Sequence, residues 1–340
     1  MLRKIVFGMC AVLLAGCYDL STSYDDHVIT EFRILAIHAE PPAMLPNTPV
    51  EMSVLYADPS GETVPVWAAW RAAFFSGGKD DPYSQAGIFV STPPASPGLA
   101  LPPSSERRGT DKGIAPSLLL DLYLCTSGFD NPARILRASD EELIEKLCPG
   151  GTLALGRKEV ETFLVTDLTG ESSWITGDVG LRLEQQNPLI DTMRVNGRPM
   201  TAMEDGGGVV SLCDDPLACE AVTLSVTLDP ESLDQEQVSL ARWFPDSGDL
   251  LDLDAGEPTG VVLESHMIDW YVTGGSLSNT SSFFKGGLSI SDEPPALDAS
   301  ETEWRLPQTD TFSVYTLYIV VRDERGGNSW KTYRFSVGKP

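Results

Sequence analysis

Apolar and polar residues alternate along most of this chain with a period of two, and Gly, Pro, Asn and Asp interrupt the alternation at short intervals. That pattern predicts β-strands joined by turns. Residues 29–39 form the first, with Ile29, Glu31, Arg33, Leu35 and Ile37 interleaved with Thr30, Phe32, Ile34 and Ala36. It is more apolar than a half-exposed strand requires, and Pro41 and Pro42, which cannot donate to a ladder, end it. Residues 50–56 place Val50, Met52, Val54 and Tyr56 on one side, up to the turn Asp58-Pro59-Ser60-Gly61. Residues 64–75 carry Trp67 and Trp70, which a regular strand cannot point to the same side, so one of them is expected in a core.

The middle is less regular. Residues 76–116 read as a long insertion, residues 118–125 as an apolar strand, and residues 139–148 as a short helix. Ser139 can cap that helix, Glu142 can reciprocate, and Leu143, Ile144 and Leu147 make its buried stripe. A returning strand at 159–166, with partners near 181–183, completes the first unit. Asn187-Pro188 marks a boundary, after which strands are expected at 190–195, 221–228, 261–272, 311–322 and 329–337. Val222, Leu224, Val226 and Leu228 share a face, as do Tyr315, Leu317, Ile319 and Val321. Residues 261–272 contain Trp270 and lead to the turn at Gly274-Gly275, and Asp323 to Asn328 turn the last hairpin.

The first seventeen residues follow a different rule. Arg3 and Lys4 precede an apolar run over 5–14, too short to cross a bilayer as a stable helix. The run ends in Leu14-Ala15-Gly16-Cys17, which resembles the lipobox of bacterial lipoproteins. The alternative is an ordinary secretory signal with Cys17 near its cleavage site. The lipoprotein resemblance implies that residues 1–16 are removed, that Cys17 is acylated, and that residues 17–28 tether the rest to membrane lipid. Tyr18, not an aspartate, follows that cysteine, and by the sorting rule of enteric bacteria this implies the outer membrane.

Removing Arg3 and Lys4 leaves 22 basic residues against 49 acids, moving the formal charge from -25 to -27. Such a surface repels nucleic acid and anionic headgroups, so a basic-groove function is set aside. Four cysteines remain after Cys10 and Cys17: Cys125, Cys148, Cys213 and Cys219. In an oxidising compartment they favour two disulfides between sequence neighbours, although three pairings are open. Closing those two loops contributes roughly 3 and 2 kcal/mol. No CxxC is present, and none of His27, His38 and His266 adjoins a cysteine, which disfavours a metal cluster.

Residues 33–70 resemble the opening of a bacterial immunoglobulin-like or polycystic-kidney-disease-like module, a strand hairpin followed by a Trp-bearing strand. Residues 315–337 resemble the closing hairpin of a polycystic-kidney-disease-like or cadherin-like module. The expected fold is all-β: two tandem immunoglobulin-like sandwiches over 29–186 and 187–340, the first with loop and short-helix insertions. A likeness at this level brings no catalytic residue with it.

Candidate sites are few. Asp246, Asp249, Asp252 and Asp254 offer alternate carboxylates suited to calcium, which takes six to eight hard oxygens, but lack the glycine and final glutamate of an EF-hand loop. Asp214, Asp215 and Asp323 are possible contributors; the bland alternative is a solvated acidic loop. Ser265 and His266 are adjacent and point apart on a strand, which does not make a nucleophile and base. Ser211 lies near acids without a histidine, and no Gly-x-Ser-x-Gly or His-Glu-x-x-His occurs. Of Trp67, Trp70, Trp174, Trp243, Trp270, Trp304 and Trp330, Trp174, Trp243 and Trp304 lie in polar, loop-like sequence; partial burial under long loops is the favoured reading, and exposed rings that stack on sugars or anchor a partner are the alternative. The function expected is a non-enzymatic, structural or protein-interacting envelope lipoprotein with an envelope protein as partner. The alternative is a surface lipoprotein that binds a glycan.

Overall fold

The computed structural model describes residues 27–44, 50–62, 64–75, 87–91, 99–101, 117–131, 146–162, 186–200, 209–213, 221–233, 235–239, 259–263, 265–284, 287–289, 299–309, 311–323 and 326–338. The expected helix at 139–148 and the strand partners near 181–183 fall mostly or wholly outside them, as do the signal segment, Cys17 and all of 18–26.

Among the described residues the architecture is β throughout, with one short 3-10 turn at Pro230–Ser232. The first half supplies β1 (Arg33–Glu40), β2 (Ala43–Met44), β3 (Val50–Ala57), β4 (Trp67–Phe75), β5 (Gly87–Ser91), β6 (Leu99–Leu101), β7 (Ser117–Cys125) and β8 (Leu153–Thr162). They form a three-stranded sheet ordered β1-β3-β6 and a five-stranded sheet ordered β2-β8-β7-β4-β5. The faces meet over Ile37, Val50, Met52, Trp70, Leu120, Leu122, Leu124 and Val160. Trp70 is the tryptophan of its strand that fills the core, as the spacing required.

The second half supplies β9 (Ile190–Val195), β10 (Arg198–Met200), β11 (Val210–Cys213), β12 (Ala221–Leu228), β13 (Gln235–Ser239), β14 (Thr259–Leu263), β15 (His266–Val272), β16 (Ser276–Leu277), β17 (Ser281–Phe284), β18 (Gly287–Ser289), β19 (Ser300–Arg305), β20 (Ser313–Asp323) and β21 (Asn328–Val337). Two five-stranded sheets, ordered β10-β9-β12-β19-β16 and β11-β21-β20-β15-β17, enclose a core of Val222, Leu224, Val226, Leu228, Trp270, Trp304, Leu317, Ile319 and Phe335. A small third sheet runs β13-β14-β18. The single strand expected at 261–272 is therefore two strands, β14 and β15, in different sheets. In the sequence the polar Glu264-Ser265 pair interrupts the apolar run between the two strands.

The halves repeat one topology. In each, the opening strand pairs antiparallel within one sheet (β1 with β3, β9 with β12). A later short strand then joins the other sheet and runs parallel to the last described strand of that half (β2 with β8, β11 with β21). In the first half this transfer passes through a cis Glu40–Pro41 bond.

Face-to-face stacking joins the halves. Leu35, Ala36, Leu55 and Ala57 on the outside of β1 and β3 pack on Tyr271, Tyr318 and Val320 on the outside of β15 and β20. The order is thus four layers: the β2-to-β5 sheet, the β1-β3-β6 sheet, the β11-to-β17 sheet and the β10-to-β16 sheet. A register shift between Ile34 and Ala36 turns both Leu35 and Ala36 toward the second half while Ile37 keeps its place in the first core. This explains the excess of apolar residues in the first strand: it is an inner-layer strand with no face fully in water.

The expected tether ends sooner than residue 28. Val28 forms a parallel bridge with Val272, the Ile29 amide donates to the Val272 carbonyl at 2.7 Å, and the Val272 amide donates to the His27 carbonyl at 2.9 Å. His27 also stacks on Tyr271, with ring centroids 4.8 Å apart. The backbone groups at the free side of β15 are what capture this segment.

Candidate interaction surface

Charged side chains in the described core are engaged within the protein. On the outward face of the five-stranded sheet of the first half, Arg71 on β4, Asp121 on β7 and Arg157 on β8 stand opposite one another in register. Arg71 donates to Asp121 Oδ2 through Nε at 3.0 Å and through Nη2 at 2.5 Å, while Arg157 Nε donates to Oδ1 at 2.7 Å. Burial pushes the Asp121 carboxyl up, but hydrogen bonds and charge from the two guanidiniums outweigh it and hold it below the usual carboxylate range. Arg71 lies over the Tyr123 ring at 5.7 Å, and Tyr123 packs with Ala69 and Leu147. The Cys125–Cys148 disulfide ties β7 to the segment that delivers Leu147 to this face.

A second polar cluster lies between the halves. The Asn187 side chain, at the expected boundary, donates to the Ala39 carbonyl at 2.9 Å and to Glu40 at 2.7 Å, and accepts from the Asn328 amide at 2.9 Å. Asn328 donates from its side chain to the Ile37 carbonyl at 2.8 Å, and its own carbonyl meets His38 Nδ1. Lys158 donates to the Gly326 carbonyl, and Arg322, paired with Asp269, donates to the Leu35 carbonyl at 2.7 Å. At the far end of the seam, Thr316 donates to the Gly61 carbonyl at 3.2 Å. Gly61 has φ +70, and a Cβ there would collide with the Thr316 hydroxyl, so that approach requires glycine. Tyr318, in the same seam, is pushed up to about 12 by burial and by the nearby Asp58 charge.

Among the described residues Phe283 is the most exposed of the large hydrophobic side chains. Phe283 on β17, the last strand in its sheet, is 65 % exposed, while its neighbour Phe284 is buried in the core. Other exposed apolar side chains, Leu155, Leu189, Val209, Val210 and Phe312, are less open.

The candidates read from sequence fare differently. Trp304 is no exposed loop ring: it is 0 % exposed on β19, donates to the Gly274 carbonyl at 3.0 Å and packs edge-on against Phe335. The reason is local. β19 alternates strictly, with Ser300, Thr302 and Trp304 inward and Glu301, Glu303 and Arg305 outward. Trp270 is a core residue as expected, Trp330 is half-buried against His38, and Trp67 is half-buried. Trp174, Trp243, Asp246, Asp249, Asp252, Asp254, Asp214 and Asp215 lie outside the described residues. Asp323 accepts from the Gly327 amide at 2.6 Å and shapes the last hairpin turn. His266 is buried on β15 and Ser265 precedes that strand. Cys213 is disulfide-bonded; with Cys125 joined to Cys148, its partner is not among the described cysteines, and Cys219 is outside them. Among the described residues no group of three or more His, Cys, Asp or Glu could hold a metal ion. No helix among them is long and apolar enough to cross a membrane. What sequence reasoning missed is the junction cluster. Its members are scattered from His38 to Asn328, and the sequence marks only Asn187, with Pro188, as a boundary between the halves.

Comparison with known proteins adds little. No family model and no curated protein matches the chain. Solved structures that align with it include dimeric latent PorU from Porphyromonas gingivalis, at 10 % identity over 90 % of this chain and 24 % of that one, with a TM-score of 0.22. Escherichia coli alpha-2-macroglobulin activated by porcine elastase aligns at 7 % identity over 93 % of this chain and 22 % of its own, with a TM-score of 0.23. Streptomyces avermitilis alpha-L-rhamnosidase complexed with L-rhamnose aligns at 12 % identity over 91 % and 25 %, with a TM-score of 0.22. The chain thus spans about a quarter or less of each of these proteins, and similarity at this level bears on neither its fold nor its function.

Proposed function

We propose that this chain is a non-enzymatic lipoprotein of the cell envelope, held to the outer membrane by acylated Cys17, with a structural or protein-interacting role. Two immunoglobulin-like modules make up its body, a reading supported by the repeated topology in which a short strand runs parallel to the last described strand of each half. The observation that carries the functional reading is the seam. Leu35, Leu55, Tyr271, Tyr318 and Val320 bury one sandwich against the other, and Asn187, Asn328, Lys158 and Arg322 hydrogen-bond across it. Such a joint fixes two sandwiches in one relation, which suits a block that presents surfaces to an envelope protein at set positions.

The test is made in the native cells. Mass spectrometry of the N-terminal peptide should find acyl chains on Cys17, and a non-permeant crosslinker should join the intact chain to a discrete envelope protein. Replacing residues 1–17 by a cleavable secretory signal without a lipobox should release the chain from the membrane fraction and abolish that crosslink. An unmodified N-terminal peptide, or a chain that stays membrane-bound after that replacement, would contradict the proposal.

A further inference from the structure

The segment His27–Ile29 and the exposed Phe283 lie on the same edge of the molecule. One side of β15 pairs with β20 along its whole length. The other side is shared: β17 takes residues 266–269, and the segment His27–Ile29 takes the end near Val272. Between them the Trp270 amide donates to the Thr280 carbonyl at 2.9 Å. Phe283 stands opposite Met267, three to four residues along β15 from the level of His27, or roughly 10–15 Å at strand spacing. Cys17 is ten peptide steps from His27, so a lipid on it sits within about 35 Å of that point even with the chain fully extended. Phe283 therefore lies within about 50 Å of any lipid attached to Cys17, on the side of the molecule from which the chain runs toward it.

The chemistry of the edge fits that position. Residues 270–284 carry no charge in a chain of formal charge -25, and Asp269 beside β17 is paired with Arg322. An acidic protein meets a lipid surface at least cost along such a rim of low net charge. β17 is four residues long, a poor template for an added strand from a protein, whereas a single protruding phenylalanine suits the boundary between headgroups and acyl chains.

We propose that the β17 edge rests on the lipid surface to which Cys17 is anchored, with Phe283 inserted at the headgroup boundary. This inference rests on the lipid-anchored reading. The full-length chain is produced in a bacterium that acylates lipoproteins and reconstituted into phosphatidylcholine and phosphatidylethanolamine vesicles carrying brominated acyl chains. A fluorophore is placed at Phe283→Cys or at Leu155→Cys; Leu155 is 49 % exposed on the outermost sheet of the first half. Both positions are at the surface, so both labelled chains should keep the parent melting temperature. The bromolipid should quench the label at 283 several-fold more than the label at 155. Equal quenching in an acylated chain overturns this inference and leaves the anchor reading standing. A chain without acyl groups overturns both. A label at 283 that bromolipid leaves bright and that only an added envelope protein shields would show a protein on this edge and overturn the inference.

Discussion

Asp121 shows how a buried charge is retained here. Two guanidiniums saturate its oxygens, and Arg71 is as deeply buried as the carboxylate. Breaking such a group from one side leaves an uncompensated charge, so Asp121→Asn should lower stability by about 3–5 kcal/mol in urea titrations. A pH titration of stability gives the sign independently. The folded-state pKa of Asp121 is depressed, so its contribution is present above the unfolded carboxylate value of about 4 and is lost as pH falls through the lower folded value. At the other extreme, Tyr318 and Tyr333 are pushed up to about 12, chiefly by burial. The folded state keeps both phenols protonated, and stability should fall as pH rises from about 10 toward 12. Tyr318→Phe should reduce that alkaline loss in a far-ultraviolet circular dichroism titration. Trp304→Ala should cost about 3–5 kcal/mol, as expected for emptying a core aromatic site and not for trimming a surface ring.

At the scale of the element, patterning was a good guide wherever one face of a strand met a core and the other did not. Residues 190–195 and 221–228 match β9 and β12 in full, because hydrophobic alternation alone selects their register. Trp304 lies on a strand that alternates too, but the glutamates and arginine of its wet face give the segment the polarity of a loop. The two-sided burial of β1 and β15 was visible only as surplus apolarity, since sequence carries no mark of which sheet covers the second face. The junction hydrogen bonds were not legible at all. They join residues well over a hundred positions apart, and Asn187 and Asn328 look like ordinary turn residues in sequence. The bridge between Cys125 and Cys148 belongs to this scale as well. It was favoured by proximity in sequence, and it staples the Leu147 segment to β7. Cys125→Ala together with Cys148→Ala should reduce stability by about 3 kcal/mol in guanidinium titrations, the chain-entropy value for closing a loop of this length.

The whole molecule depends on the seam, where a two-sided sheet from each half meets the other. If β1 and β20 are inner layers of one stack, neither half exposes its outer apolar face in the native state, and the halves share a single transition. Leu55→Ala, in the seam and outside either sandwich core, should then lower the stability of both halves together by about 2–4 kcal/mol. A pair of modules joined only by a hinge would lose stability in the first half alone. The most direct measurement is hydrogen exchange by mass spectrometry across a guanidinium series, reading peptides from β7 and β8 beside peptides from β20 and β21. A fixed four-layer stack gives coincident midpoints that shift together in Leu55→Ala. Two separated midpoints, with only the β7 and β8 peptides responding to that substitution, would contradict it.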